Sequence, residues 1–334
     1  MGMFKSNQFS RTLLIAGMTA LLAVQAVALT GCGTKTDPAS PAKTEISGPV
    51  KLGVLPIEDN LPFYVAEQEG MFKNKNMDVT LVPFASAQER DAALQAGQID
   101  GEVADLVAVG LLQKSGTPVK VAAVGLGVTP QEGRFALLAS PKSGINSVAD
   151  LKNVPVAVSE NSIIEFVDDQ LLSDAGFHAD EMKKTAIPKM PIRLQMLLSD
   201  QVKAAILPDP LAFLAEKQGA KLIADDTKKN ISQTVLLFRQ DSVEKKGEAL
   251  KKVVQVYGEA GEAMTKEPNK YRSLVVEKAN IPKEIQGSYA LPTFSKPVPP
   301  TKEEVASVIN WMVSKKLLDK AYTYEELVDT TLAP

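Results

Sequence analysis

The sequence predicts an α/β protein of two lobes with largely parallel sheets, and three observations carry that expectation. From residue 50 to residue 238, short apolar runs alternate with helix signals, the strand–loop–helix rhythm of a parallel sheet. The rhythm breaks at Pro141 and starts afresh, which divides it into two units. Beyond Arg239 only helix signals remain, and a helical tail with no sheet of its own packs most simply on the first unit. The expected lobes are therefore residues 50–135 with 240–334, and residues 136–239. The two crossings, near residues 135–139 and 234–239, would form a two-segment hinge.

Each element follows from local chemistry. Residues 50–55 form the first strand, stopped by Pro56. Residues 63–68 are helical up to Gly70, and residues 79–82 are a strand that Pro83 ends. Ser86 and Glu89 have capping-box spacing and open a helix that Gly97 closes. A strand at 101–103 runs into Asp105, an N-cap for the apolar helix 106–113; residues 119–124 are the next strand. In the second unit, 135–139 is extended, Ser147 and Asp150 cap a short helix, and 155–158 is a buried strand. Ser162 and Glu165 open a helix that ends at Gly176. Residues 192–198 are helical and 204–207 a strand, after which Asp209-Pro210 supplies a cap and a proline at the first helical position. Strands follow at 221–224 and 234–238. The tail is helical over 242–266, 268–279, 282–288 and 301–315, with capping boxes at Thr301/Glu304 and Thr323/Glu326.

Composition excludes several classes. Lys and Arg number 37 against 40 Asp and Glu, net −3, so no basic excess points to nucleic acid. A single cysteine, Cys32, rules out a disulfide within one molecule. With one histidine, His178, thiolate or histidine metal centres and histidine-dependent triads are not expected, and neither is a cofactor. Residues 1–31 read as an export signal: Lys5 and Arg11 precede an apolar run over 13–29, interrupted by Gln25. That run is short of the roughly 20 residues of a membrane span. Residues 32–49 are polar and broken by proline, a tether rather than a folded segment.

Ligands of open α/β sheets bind beyond the carboxyl ends of the strands. In the first lobe this selects Glu58, Asp59 and Asn60 after the first strand, Phe84 and Ser86 after the second, and Asp105 after the third. In the second lobe it selects Glu160, Asn161 and Ser162, then Lys189, then Asp209. Several have a second use. Ser86 and Ser162 serve their own capping boxes, Asp105 and Asp209 are good plain caps, and Phe84, like Phe63 and Tyr64, suits core packing. Lys189 and Arg134 suit the surface, as does His178. Acids dominate these loops: Glu58, Asp59, Glu102, Asp105, Glu160 and Asp209 stand against Lys189 and Arg134. Buried carboxylates repel an oxyanion. The expected guest is a polar organic solute with hydrogen-bond donors, bearing an amine or ring nitrogen.

Four stretches resemble one family. They are Phe63-Tyr-Val-Ala-Glu-Gln-Glu-Gly-Met-Phe72 with Met77-Asp-Val-Thr-Leu-Val82, then Ala93-Leu-Gln-Ala-Gly-Gln-Ile-Asp-Gly101, then Ser147-Val-Ala-Asp-Leu-Lys-Asn-Val-Pro-Val-Ala-Val158. In this order they resemble the substrate-binding proteins of nitrate, sulfonate and taurine importers, the SsuA/THI5-like or NMT1 group. Leu29-Thr-Gly-Cys32 resembles a lipobox, in which the signal is cut before the cysteine and lipid is attached to its sulfur. The resemblance implies a type II periplasmic binding-protein fold that closes on a small solute and delivers it to the permease of an ABC importer. It also implies a monomer, palmitoylated at Cys32 and tethered outside the cell membrane. Two alternatives stay open: a sensor lipoprotein presenting its solute to a membrane receptor, and an enzyme of the same fold. Against the enzyme stand the export signal and the lone histidine.

Overall fold

A computed structural model describes residues 48–334; the expected signal, most of the tether and Cys32 lie outside the described residues. The strands are β1 (Val50–Val54), β2 (Val79–Pro83), β3 (Gly101–Asp105), β4 (Val119–Val124), β5 (Phe135–Ala139), β6 (Val156–Val158), β7 (Lys184–Ala186), β8 (Ala204–Pro208), β9 (Lys221–Asp225) and β10 (Thr234–Arg239). They form two five-stranded sheets, ordered β2-β1-β3-β10-β4 and β7-β6-β8-β5-β9.

Both sheets are mixed, where the sequence rhythm predicts largely parallel ones. β1 is parallel to β2 and β3, and β6 to β7 and β8. β10 runs antiparallel to β3 and β4, and β5 to β8 and β9. Each antiparallel strand is the first after a crossing from the other sheet. It enters at the edge facing that sheet, which is where its neighbours end, so it must run against them.

This placement corrects the expected lobe boundary. Residues 234–239 pair with β3 and β4, so they belong to the first sheet and not to the second lobe. The crossings precede β5 and β10, at 125–134 and 226–233. The Asn230 side-chain amide donates to the Val128 carbonyl (3.4 Å), which ties one crossing to the other.

The helices are α1 (Leu61–Gln68), α2 (Met71–Asn74), α3 (Ala87–Gln95), α4 (Leu106–Lys114), α5 (Ile163–Asp174), α6 (Met190–Leu198), α7 (Leu211–Lys217), α8 (Gln240–Lys266), α9 (Pro268–Lys278), α10 (Lys302–Ser314) and α11 (Tyr324–Leu327). Where a helix was expected over 282–288 there is only a 3-10 turn, Lys283–Ile285. β7 went unforeseen because three partly or fully exposed residues show no apolar run.

The tail does pack on the first lobe. α8 buries Leu250, Val253, Val254, Tyr257, Ala260 and Met264, a stripe at three- and four-residue spacing. The irregular segment after residue 286 lies close on α8 at two glycines. A Cβ on Gly261 would sit 2.7 Å from Phe294 Cβ, and one on Gly258 2.6 Å from Pro297 Cδ. Further along, the Val298 carbonyl accepts from the Val124 N–H (2.8 Å). Both crossings are held by the tail as well: Ser295 bonds Glu132, and Gln233 donates to Glu304 (2.8 Å). α10 reaches the second lobe too. Trp311 meets Phe166 edge-on and donates to Asp169 (2.8 Å), and Lys315 pairs with Glu165 (2.6 Å).

Candidate interlobe binding site

β1 delivers a 3-10 turn, Glu58–Asn60, whose three polar side chains are buried. The Tyr289 hydroxyl, from the tail, donates to Glu58 Oε1 at 2.7 Å. Burial pushes Glu58 up to about 8; the Tyr289 bond opposes this, while Asp209 and Asp59 add to it. Asp209 belongs to the second lobe, so the carboxyl ends of β1 and β8 face each other.

Asp59 is raised to about 6, again by burial, against the Asn60 amide (2.8 Å), Arg90 and Thr234. The Tyr257 hydroxyl donates to the Asp59 carbonyl (2.6 Å) and fixes the turn from α8. Asn60 Oδ1 is buried with no hydrogen bond. At the end of β3, Asp105 Oδ1 accepts the N–H groups of Val107 and Ala108, both at 2.9 Å. Burial raises Asp105, opposed by those bonds and by Arg90.

Arg90 is the cation of this wall. It is buried, donates to the Val103 carbonyl (2.6 Å) and Asp91, and stands 3.3 Å from Glu102 Oε2. Glu102 is buried and neither of its oxygens makes a hydrogen bond. Burial raises it, and Arg90 only partly offsets that. Asp59, Glu102 and Asp105 thus share one arginine, and Glu58 extends the row beside Asp59.

The second lobe presents a different wall. Arg193 on α6 is fully buried, and no carboxylate pairs with it among the described residues. It donates to the carbonyls of Ile187 (3.0 Å) and Ile206 (2.8 Å) and to Ser159 Oγ (2.6 Å). Burial lowers it to about 10. Its hydrogen bonds join the ends of β6, β7 and β8.

Glu58, Asp59, Asn60, Asp105 and Asp209 come together, as their places at the strand ends predict. Asp209 differs from the others: Arg134 takes both of its oxygens (3.1 and 3.0 Å), and Oδ1 also accepts the Phe213 N–H (3.0 Å). Arg134, expected at the surface, is a partly buried hub that also pairs with Glu216 (2.6 Å). Phe84 is half-buried and packs on the core. Ser86 is exposed and caps α3 through the Glu89 N–H (3.2 Å). Ser162 caps α5 and donates to the Ser159 carbonyl (2.6 Å). Glu160, Asn161 and Lys189 are exposed at the second-lobe rim. No hydrogen bond or ion pair among the described residues joins that rim to the acid row. Sequence reasoning missed Arg90, Tyr257, Tyr289 and Arg193, which reach the site from helices or from the tail. Only an internal cation in the otherwise apolar helical stretch around Arg193 could have signalled one of them.

Two mixed sheets of one plan, linked twice, with strand ends facing across the join, define the fold of the two-lobed substrate-binding proteins. A family model described as NMT1/THI5 like matches residues 58–271, and the chain belongs to that family. No curated protein sequence matches it. Among solved structures it is similar to the alkanesulfonate-binding protein SsuA of Xanthomonas axonopodis pv. citri, bound to MOPS (TM-score 0.72, 16% identity, 84% of this chain and 97% of that one). It is similar to the aliphatic sulphonate-binding SsuA of Escherichia coli (0.72, 19%, 83% and 90%). It is also similar to the nitrate-binding NrtA of Synechocystis PCC 6803 (0.66, 13%, 85% and 86%). The desulfurization enzyme DSZB has the fold as well (0.63, 13%, 85% and 96%). At these identities the likeness is one of fold.

Proposed function

We propose that this protein is a lipid-anchored, extracytoplasmic solute-binding component of an ABC importer, monomeric and not an enzyme. Its lobes close by bending at the two crossings and grip a small polar organic solute. The observation that carries the solute class is the acid row at the strand ends: Asp59, Glu102 and Asp105 share one arginine, and Glu58 beside them has none. Such a wall is rich in acceptors and poor in fixed positive charge. A guest with N–H donors, protonated amine or ring nitrogen, supplies what it lacks. Burial holds Glu58 at about 8, so it keeps its proton at neutral pH; a cationic nitrogen base would draw it into the ionised form, and an anion would favour the protonated one. Closure follows if the solute makes contacts only when both lobes meet, since a ligand shifts an equilibrium only by differential affinity.

Calorimetry against amines, nitrogen heterocycles, alkanesulfonates and nitrate tests the reading. Heat and a raised melting temperature with a nitrogen base are expected. At a hundredfold excess over Kd the stabilisation is about 2.7 kcal/mol. Tight binding of a simple oxyanion alone would remove it. The anchor has its own test. Cells fed labelled palmitate should label the protein, and Cys32→Ser should abolish the label and release the protein from membranes.

A further inference from the structure

The tail holds the second lobe at two places, on opposite faces of its sheet. α5 and α7 cover those faces. Phe166 of α5 shares a core with Leu137 and Ala139 of β5, whereas Ala212 and Leu214 of α7 share one with Ala136 and Leu138. On the α7 face, the buried Tyr289 ring meets Phe213 edge-on, centroids 5.4 Å apart. On the α5 face, Trp311 of α10 meets Phe166 edge-on, also at 5.4 Å, and donates to Asp169 (2.8 Å). Lys315 adds charge there, 2.6 Å from Glu165 and 3.4 Å from Asp169. α10 itself belongs to the first-lobe body. A Cβ on Gly110 of α4 would sit 2.6 Å from Met312 Sδ, and Lys114 donates to the Leu317 carbonyl (2.8 Å). Tyr289 is tied to that body too, through its hydroxyl bond to Glu58 (2.7 Å). All of these residues lie outside the two crossings.

We propose that the tail is a two-sided clasp: Tyr289 against Phe213 on one face, and Trp311 with Lys315 against α5 on the other, hold the lobes together without help from a solute. This rests on the reading that the lobes bend at the crossings. Bending carries α5 and α7 away from the tail as one body, so both contacts break in one step. Opening is then a single equilibrium, and weakening either side raises the open fraction. A solute enters when both sides release. The two sides differ in kind. The α7 side is a contact of rings, whereas the α5 side adds the ion pairs of a partly exposed lysine. Salt therefore weakens the α5 side.

Trp311 is the only tryptophan of the chain, so quenching of its fluorescence by acrylamide, a neutral probe, reads the α5 side in the full mature protein. Phe213→Ala removes the ring on the opposite face. We expect the quenching constant of Trp311 to rise about twofold or more in Phe213→Ala, as a larger open fraction requires. Lys315→Met should raise it too, and Lys315→Arg, which keeps the charge, should not. About 1 M salt should raise it in the native protein by screening and leave Lys315→Met unchanged. Unchanged quenching in Phe213→Ala would show that the two contacts act separately, and overturns the proposal. Lys315→Arg behaving as Lys315→Met does, or salt acting equally on the native protein and Lys315→Met, overturns it as well. If circular dichroism shows that Phe213→Ala does not fold, Phe213→Leu takes its place and removes the same ring contact. No solute enters this measurement, and the solute calorimetry uses none of these variants, so each reading can fail without the other.

Discussion

Arg134 grips Asp209 with two near-parallel hydrogen bonds, from Nε at 3.1 Å and Nη2 at 3.0 Å. The arginine ends the first crossing and the aspartate ends β8, so the pair fixes where the chain enters the second sheet. Burial works against both charges, but each holds the other ionised, with Glu216 helping to keep the arginine charged.

Arg134→Met should destabilise the protein by about 2–4 kcal/mol in urea denaturation, because it strands partly buried carboxylates. Arg134→Lys should recover little, since an ammonium cannot make the paired contact. A double-mutant cycle with Asp209→Asn isolates the pair. A coupling energy near zero would show that the crossing is held by its backbone alone.

Glu58 carries a pH dependence whose sign is fixed by its environment. Its folded value, about 8, lies above the ordinary 4.5. The folded state therefore holds that proton more tightly than the unfolded chain does. Stability from protonated Glu58 is complete below 4.5 and is lost progressively as pH rises to 8. Asp59, raised from 3.8 to about 6, acts in the same direction over its own window. Denaturation of Glu58→Gln at pH 5 and pH 8 should show a smaller fall than the native protein shows. An equal fall in both would place the titration elsewhere.

Asp168 is the least supported charge in the second lobe. It is fully buried, neither oxygen makes a hydrogen bond, and Lys184 stands 3.8 Å away. Burial raises it from 3.8 to about 7, despite Lys184. Ionised Asp168 thus weakens the fold above pH 7, and protonated Asp168 below 3.8 does not. Asp168→Asn should raise the melting temperature at pH 8 and leave it nearly unchanged at pH 3. Asp169 and Glu165 still balance Lys184 and Lys315 in that variant.

Gly101 is required by close approach. A Cβ there would lie 2.6 Å from the Leu237 carbonyl oxygen and closer still to the Phe238 ring. Backbone cannot give way as a flexible side chain can. Gly101→Ala should cost about 1–3 kcal/mol by overpacking and loosen β10 from β3. Hydrogen exchange across 234–239 reads the second effect. Unchanged protection there would mean that the sheet absorbs the methyl.

The local signals were legible because they are local. Ser147/Asp150, Thr301/Glu304 and Thr323/Glu326 make both halves of their capping boxes. At Ser86 and Ser162 the glutamate instead takes the N–H one residue before the serine, from Ala85 (3.2 Å) and Asn161 (2.6 Å). The acid-rich loops were legible too, because strand ends can be read from apolar runs. Arg134 was misjudged because its carboxylates lie 75 and 82 residues away. Tyr289 was missed for the same reason, at 231 residues from Glu58.

Apart from β7 and the expected helix over 282–288, the order of strands and helices, the helix caps and the surplus of acids at the strand ends are properties of short stretches, set by periodicity and by side chains within one turn of each other. They could be read before any fold was known. Which strands run antiparallel, where the second lobe ends and which cation stands behind the row were decided only by the tertiary structure. Those features depend on groups that folding brings together from opposite ends of the chain, and on burial, which a residue acquires only from its neighbours in space.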